Sequence, residues 1–226
     1  MPFLSLSDLQ RLERLEPPTA KVQIVLDTDT ANEIDDQFAI AYALLSPEKI
    51  GVEAIYAAPF ENRTTTPAEG VEKSYDEIVR VVGHLGLPNS PPILKGSPGW
   101  LPAPDQPIVS PAAEDLIARA KQQRDTPLYV VAIGAIPNVA SALLLAPEII
   151  ERIVIVWLGG NPYYWHKATE YNIVQDMHAG RIIFDCGAPF VHLPAFNVTE
   201  HLRANLSEIA QYVKPHGAIG RYLYDI

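Results

Sequence analysis

The strongest constraint on this chain is the alternation of short, β-branched apolar runs with helix-patterned segments. Residues 22–26 (VQIVL), 52–57 (VEAIYA), 128–133 (LYVVAI), 153–157 (IVIVW) and 191–193 (VHL) read as strands, because each is short, apolar and bounded by turn residues. Segments 36–45, 68–86, 112–123, 138–145, 176–185 and 206–213 read as intervening helices, preceded by a short helix at 7–15 that Pro17-Pro18 ends. The proline-rich stretch 87–111 is expected to run over the surface around one short strand near Ile93-Leu94. Strands joined by helices need crossover connections. The expected fold class is therefore α/β, a mainly parallel open sheet with helices on both faces, Rossmann-like. No interior segment reads as a linker, so residues 1–226 are read as one domain.

Composition removes several function classes. Lys plus Arg is 17 against 27 Asp plus Glu, a net charge of −10. A surface that acidic disfavours nucleic acid or an anionic membrane as the main partner. No apolar stretch approaches the roughly 20 residues that span a bilayer. The N-terminal segment carries Asp8 and Glu13 early and has no apolar core, so it does not read as a secretory leader. A single cysteine, Cys186, rules out a disulfide framework, a cysteine-rich zinc site and an iron–sulfur cluster within the chain. The expected setting is cytoplasmic. At the other end, the chain stops at residues 221–226 inside a continuing amphipathic pattern and reads as interrupted.

The chemistry concentrates directly after the first strand, in Asp27-Thr28-Asp29-Thr30-Ala31-Asn32-Glu33-Ile34-Asp35-Asp36. Five carboxylates fall within these ten residues. In open α/β sheets, ligands bind beyond the carboxyl ends of the strands. Asp27 and Asp29 share one side of an extended chain, and Asp35 and Asp36 open the next helix, where its dipole favours anions. Such crowding raises carboxylate pKa values unless a cation resolves it, and oxygen-only donors select calcium or magnesium. The competing reading is a solvated acidic turn with Asp35 as a helix cap. An EF-hand is rejected, since a strand precedes the loop, its sixth position lacks glycine, and Phe38 stands where the bidentate Glu belongs. A magnesium-dependent phosphatase of the haloacid dehalogenase type remains an alternative. Asp27-Thr28-Asp29-Thr30 fits its D-x-D-x-T motif, with Asp27 as nucleophile, although strand 153–157 runs into Leu158-Gly-Gly-Asn161 with no acid.

The pattern as a whole resembles the nucleoside hydrolase family of the inosine–uridine-preferring type. That family carries D-x-D-x-x-x-D-D after its first strand; here Asp27, Asp29, Asp35 and Asp36 match it, with two extra residues before the second pair. Two later segments agree. Residues 131–140 (VAIGAIPNVA) are similar to the family's strand–glycine–turn–helix segment. Trp157-Leu-Gly-Gly160, then Glu170-Tyr-Asn172 and Asp176, are similar to its G-G and E-F-N elements.

The resemblance implies calcium-dependent hydrolysis of the N-glycosidic bond of ribonucleosides, as in purine and pyrimidine salvage. It implies that Asp29, Asp36 and the Ile133 main-chain carbonyl hold calcium, with Asp27 supporting the site. By the same resemblance Asp29 is expected to act as the catalytic base. Asp35, Asn62, Glu170 and Asn172 bind the substrate ribose, with Asn161 a weaker candidate. A homodimer or homotetramer is implied as well. Two departures stand out: Glu33 in the lengthened loop has no counterpart, and the family's last metal Asp with its neighbouring His would lie beyond position 226. The non-catalytic alternative is a nucleoside- or sugar-binding relative or an inactive fragment.

Such chemistry suits these residue types. N-ribosidic cleavage passes through a ribosyl cation, which carboxylates stabilise. The departing base needs a proton or apolar stacking. Trp157, Tyr163, Tyr164, Trp165 and Tyr171 are candidates for stacking, and His166 is a candidate proton donor left outside the catalytic set. Thr64-Thr-Thr66-Pro67 reads as a helix cap, Asn138 as an early helix residue, and His84, His192 and His201 have no evident partner.

Overall fold

A computed structural model describes residues 6–226; residues 1–5 of the segment read as lacking a leader lie outside them. Six strands, β1 (Val22–Thr28), β2 (Ile50–Ala57), β3 (Ile93–Lys95), β4 (Leu128–Ala132), β5 (Ile153–Leu158) and β6 (Phe190–Leu193), form one sheet in the order β3-β2-β1-β4-β5-β6. Every pairing among them is parallel. This is the doubly wound α/β arrangement the sequence predicts, and its buried strands explain why the apolar runs are continuous rather than alternating.

Helices cover both faces. Against one lie α2 (Asp35–Leu44), α3 (Pro67–Leu85) and the C-terminal α9 (Gly217–Asp225), packed on Ile24, Leu26, Ile55 and Ala57. Against the other lie α4 (Pro111–Ala120), α5 (Pro137–Leu145) and α7 (Met177–Asp185), packed on Val25, Tyr56, Val130, Ile155 and Trp157. Alternate strand residues thus feed two separate cores, as the period of two demands. Helix α1 (Asp8–Leu15) buries none of its residues. The remaining α-helices are α6 (Tyr171–Gln175) and α8 (Leu206–Tyr212). No helix among the described residues is long and apolar enough to cross a membrane.

Local sequence explains the boundaries. Thr66 caps α3 in a reciprocal capping box with Glu69, Pro67 takes its first turn, and Gly86 closes it at φ 60°. The threonine cluster is therefore a cap, as expected. Several elements differ from the sequence reading. β1 runs on through Asp27 and Thr28, which pair with Tyr56 and Ala57 on β2, so two polar residues sit inside the sheet. Helix 176–185 starts one residue later, because Asp176 is its cap, accepting from the Ala179 amide at 2.9 Å. The short α6 was not anticipated. Helix α4 ends at Ala120 rather than 123, where Arg124 turns back to make a bidentate pair with Glu53. His84 also has a partner after all, since its ring stacks on Tyr222 of α9 at 4.6 Å.

Two glycines of α3 test the packing. A methyl at Gly70 would lie 2.2 Å from the Phe60 carbonyl oxygen, whereas one at exposed Gly83 meets nothing within 4 Å. Gly83→Ala is expected to stabilise the chain by about 0.5–1 kcal/mol through helix propensity. Gly70→Ala is expected to destabilise it by about 1–3 kcal/mol, as overpacking does. Urea denaturation of both variants checks this; equal effects would contradict the α3 packing.

Candidate functional site

The strand order fixes where a ligand can sit. The chain winds outward from β1 to β3, returns to β4 beside β1, and winds outward again to β6. The carboxyl ends of β1 and β4 flank this reversal, and crevices at such reversals bind ligands in open α/β sheets. The acidic segment follows β1 there, and Ile133-Gly134 follows β4.

Asp27 is the penultimate residue of β1, fully buried, and faces α5. Its Oδ2 accepts from Asn138 Nδ2 at 3.0 Å, while its Oδ1 is buried with no partner. Asp29 follows the strand and is 3% exposed. Its Oδ2 accepts from Asn32 Nδ2 at 3.2 Å. Its Oδ1 fills the space beside Gly134, where a Cβ would lie only 2.5 Å away. Residue 134 must therefore lack a side chain for Asp29 to hold this position. Asp36, the second residue of α2, is buried and accepts from the Thr28 hydroxyl, which also lies 2.7 Å from that of Thr30.

These carboxylates repel protons poorly and one another strongly. Burial pushes the Asp27 carboxyl from 3.8 up to about 8, opposed by the Asn138 hydrogen bond. Burial, with the charges of Asp35 and Glu33, raises Asp29 to about 7. Asp36 is raised well above the ordinary range by burial and then by the charge of Asp29. Among the described residues no Lys or Arg pairs with any of the three. A buried carboxylate group without a counter-ion is costly as an anion. The donors are all hard oxygens, one of them an orphaned Asp27 oxygen, which suits a hard divalent cation in type. They fall short in number: among the described residues no three His, Cys, Asp or Glu side chains converge to hold an ion. Asp29, Asp36 and the Ile133 carbonyl would supply part of a shell that water and ligand hydroxyls complete.

The other residues singled out in the sequence are placed as follows. Asp35 lies exposed in the first turn of α2, whose cap is Ile34 without a side-chain bond; the reading of Asp35 as the cap is corrected. Asn62 is exposed in the loop after β2, its Oδ1 accepting from the Thr64 amide and hydroxyl. Glu170 caps α6, accepting from the amides of Gly160 (2.6 Å), Asn172 (2.9 Å) and Ile173 (3.2 Å). Asn172 is buried and donates to the carbonyls of Ile133 (3.1 Å) and Leu158 (2.9 Å), tying the ends of β4 and β5 and leaving its Oδ1 free for a ligand. Asn161 donates to the carbonyls of Lys167 and Thr169, which shapes the following loop.

The aromatic candidates divide. Trp157 cannot stack on a ligand. It is fully buried, and its indole N–H donates to the Gly134 carbonyl at 2.9 Å. It faces the same core as Ile155 because both occupy one side of β5. Tyr163 and Trp165 border a cavity of about 230 Å³ with Phe184 and His192, and Tyr163 and Tyr164 are both largely exposed. His192 has a partner, the Gly159 carbonyl 2.7 Å from its Nε2. His166 is exposed beside Trp165.

Sequence reasoning missed Asn138. It is fully buried at the start of α5, donating to Asp27 and accepting from the Ser97 amide at 2.6 Å. The available signal was a lone amide in an otherwise apolar, buried helix, PNVASALLL, since such a group needs partners. It also missed Asn32, which holds Asp29, and Gly134, which makes room for it.

Residues 24–226 match the sequence pattern of a family described as inosine-uridine preferring nucleoside hydrolase. A protein of Arabidopsis thaliana named "Probable uridine nucleosidase 2" is 30% identical over 236 aligned residues, covering 90% of this chain and 68% of its own length. A pyrimidine-specific ribonucleoside hydrolase of Salmonella paratyphi A is 29% identical, covering 84% of this chain and 65% of its own. The chain thus spans about two thirds of the length of these curated relatives. Among solved structures, a purine-preferring ribonucleoside hydrolase from Gardnerella vaginalis superposes with a TM-score of 0.71 at 27% identity, covering 90% of this chain and 70% of that one. Fold, motif order and sequence agree: the chain belongs to the inosine-uridine preferring nucleoside hydrolase family.

Proposed function

We propose that this chain catalyses calcium-dependent hydrolysis of the N-glycosidic bond of ribonucleosides, giving ribose and free base. The observation that carries the proposal is the burial of Asp27, Asp29 and Asp36 without a basic partner at the reversal point of the sheet. Burying three acids there destabilises the chain unless a cation and a sugar use them. Asp29, Asp36 and the Ile133 carbonyl would hold calcium. When bound, that ion would template the sugar hydroxyls and polarise the attacking water.

The protein's own groups do the rest. Asp29, turned by Asn32 and seated against Gly134, takes a proton from the water. Asp27, held by Asn138, adds negative potential behind it only when ionised, which burial opposes and a bound cation would favour. Asp35, Asn62 and the free Oδ1 of Asn172 receive ribose hydroxyls, with Glu170 fixing the loop that carries Asn172 and offering its remaining lone pair. The aromatic loop of Tyr163 and Trp165 is a candidate to pack on a base. We assign a homodimer or homotetramer and a cytoplasmic setting as part of the same reading. The phosphatase alternative is disfavoured, because Asp27 lies fully buried inside the sheet and no substrate phosphorus can reach it. Sugar binding without turnover is the second reading, favoured by the absence of a converging three-acid group among the described residues.

Ribose release from a nucleoside panel tests the proposal. Asp29→Ala is expected to lower turnover by about 10²–10⁴-fold, the range general-base removal spans. A chelator should abolish turnover and calcium restore it. Ribose binding by calorimetry with no release would establish the second reading instead.

Stability offers an independent check. The raised carboxyls of Asp27 and Asp29 favour the protonated folded state, so their contribution is complete below about 4, the ordinary value, and disappears as pH rises through about 7–8. In chelator, the Tm is expected to fall between about pH 4 and 8. Excess calcium should raise it most at the alkaline end, where the ligands are ionised. A calcium effect that is absent, or larger at acid pH, contradicts the assignment.

A further inference from the structure

We propose that Asn32 and Tyr171 form a brace that fixes the Asp29 carboxylate, making both positioning residues; the inference rests on the hydrolase reading above. Each marks a departure from the family pattern. Asn32 lies in the loop lengthened by two residues, and Tyr171 stands where the E-F-N element has phenylalanine. The structure brings the two departures together across 139 residues of sequence.

The geometry begins at a turn. The Asn32 amide donates to the Asp29 carbonyl at 2.9 Å, which folds the side chain of Asn32 back on Asp29. Its Nδ2 then donates to Asp29 Oδ2 at 3.2 Å, and its Oδ1 faces the Tyr171 hydroxyl at 3.3 Å. That hydroxyl has one proton, shared between Asn32 Oδ1 and the nearer Glu61 carbonyl at 2.7 Å. Glu61 is itself clamped. Its amide donates to Gln175 Oε1 at 2.7 Å, and Trp100 Nε1 donates to its carboxylate at 3.1 Å. The loops after β1, β2 and β3 are thereby joined to one another and to α6.

The residue types suit this task. An amide donates to a carboxylate at one end and accepts at the other, whereas Asp would add a like charge and Ala would leave Oδ2 free to turn. Phenylalanine at 171 would keep the ring and lose the link. With Oδ1 against Gly134 and Oδ2 on Asn32, the Asp29 carboxylate has one orientation. Orientation of this kind sets proton-transfer rates, because small misplacements of a reacting group are costly.

A double-mutant cycle of Asn32→Ala and Tyr171→Phe on the whole chain tests the brace, read out as nucleoside turnover and as calcium binding by calorimetry with the ion alone. Each single variant is expected to lower kcat by about 5–20-fold with KM within about twofold, and to weaken calcium by about 3–10-fold. The double variant should be no worse than the worse single, as coupled residues behave. Tyr171→Phe keeps the ring, so an unchanged Tm separates positioning from folding. Wild-type kcat and calcium affinity in Tyr171→Phe, or independent multiplication of the two effects, overturns the brace. A wild-type chain that binds calcium with the coupling intact yet hydrolyses no nucleoside overturns the hydrolase reading and leaves the brace standing. One that does neither overturns both.

Discussion

The architecture depends on three carboxylates being placed out of water at the end of the first strand. Asp27 is inside the sheet, Asp29 follows it, and Asp36 returns on the next helix. Among the described residues nothing basic pairs with them, and the groups in contact with them are amides, hydroxyls and a glycine. Amides and hydroxyls donate to a carboxylate without neutralising it, so they orient the acids and leave their charge to be compensated from outside. The neighbourhood is built around that requirement. Asn138 ties Asp27 to the β3 loop through Ser97, Thr28 holds Asp36, and Trp157 anchors the Gly134 carbonyl next to the space Asp29 needs.

Parallel topology explains why such a site arises at this point. Residues of β1 alternate between two cores, so Asp27 necessarily points into the layer of α5. The following turn brings Asp29 against the β4 loop, and α2 begins at Asp35 with Ile40, Ala41 and Ala43 buried. The loops after β2, β3 and β5 close over the same edge, knitted by Glu61, Trp100, Asp176 and Tyr171. A rigid sheet thus carries loops that are hydrogen-bonded to each other over the carboxyl ends of its strands. That arrangement holds reacting groups better than free loops do.

Much of this was legible in the sequence, and the reasons are physical. Strands buried on both faces show as uninterrupted β-branched runs, which is why β1, β2, β4 and β5 could be read directly. The acids could be read because their spacing and their position after a strand are unusual. What escaped involved contacts distant in sequence. Asn138 meets Asp27 across 111 residues, and Tyr171 meets Asn32 across 139. Trp157 was misread as a ligand platform because a tryptophan at a strand end suggests a loop aromatic. Its parity with Ile153 and Ile155 places it in the core, and that parity was visible. Glu170 and Asn172 were read as sugar ligands alone, whereas the structure also gives them framework bonds that only the fold reveals.

The central claim is that the acidic segment is an oxygen site for a hard divalent cation. The most direct measurement is a crystal structure of the chain grown in calcium, with the ion located by anomalous scattering. The account predicts density between Asp29, Asp36 and the Ile133 carbonyl. Ordered carboxylates around no ion at saturating calcium, or an ion bound elsewhere, would contradict it.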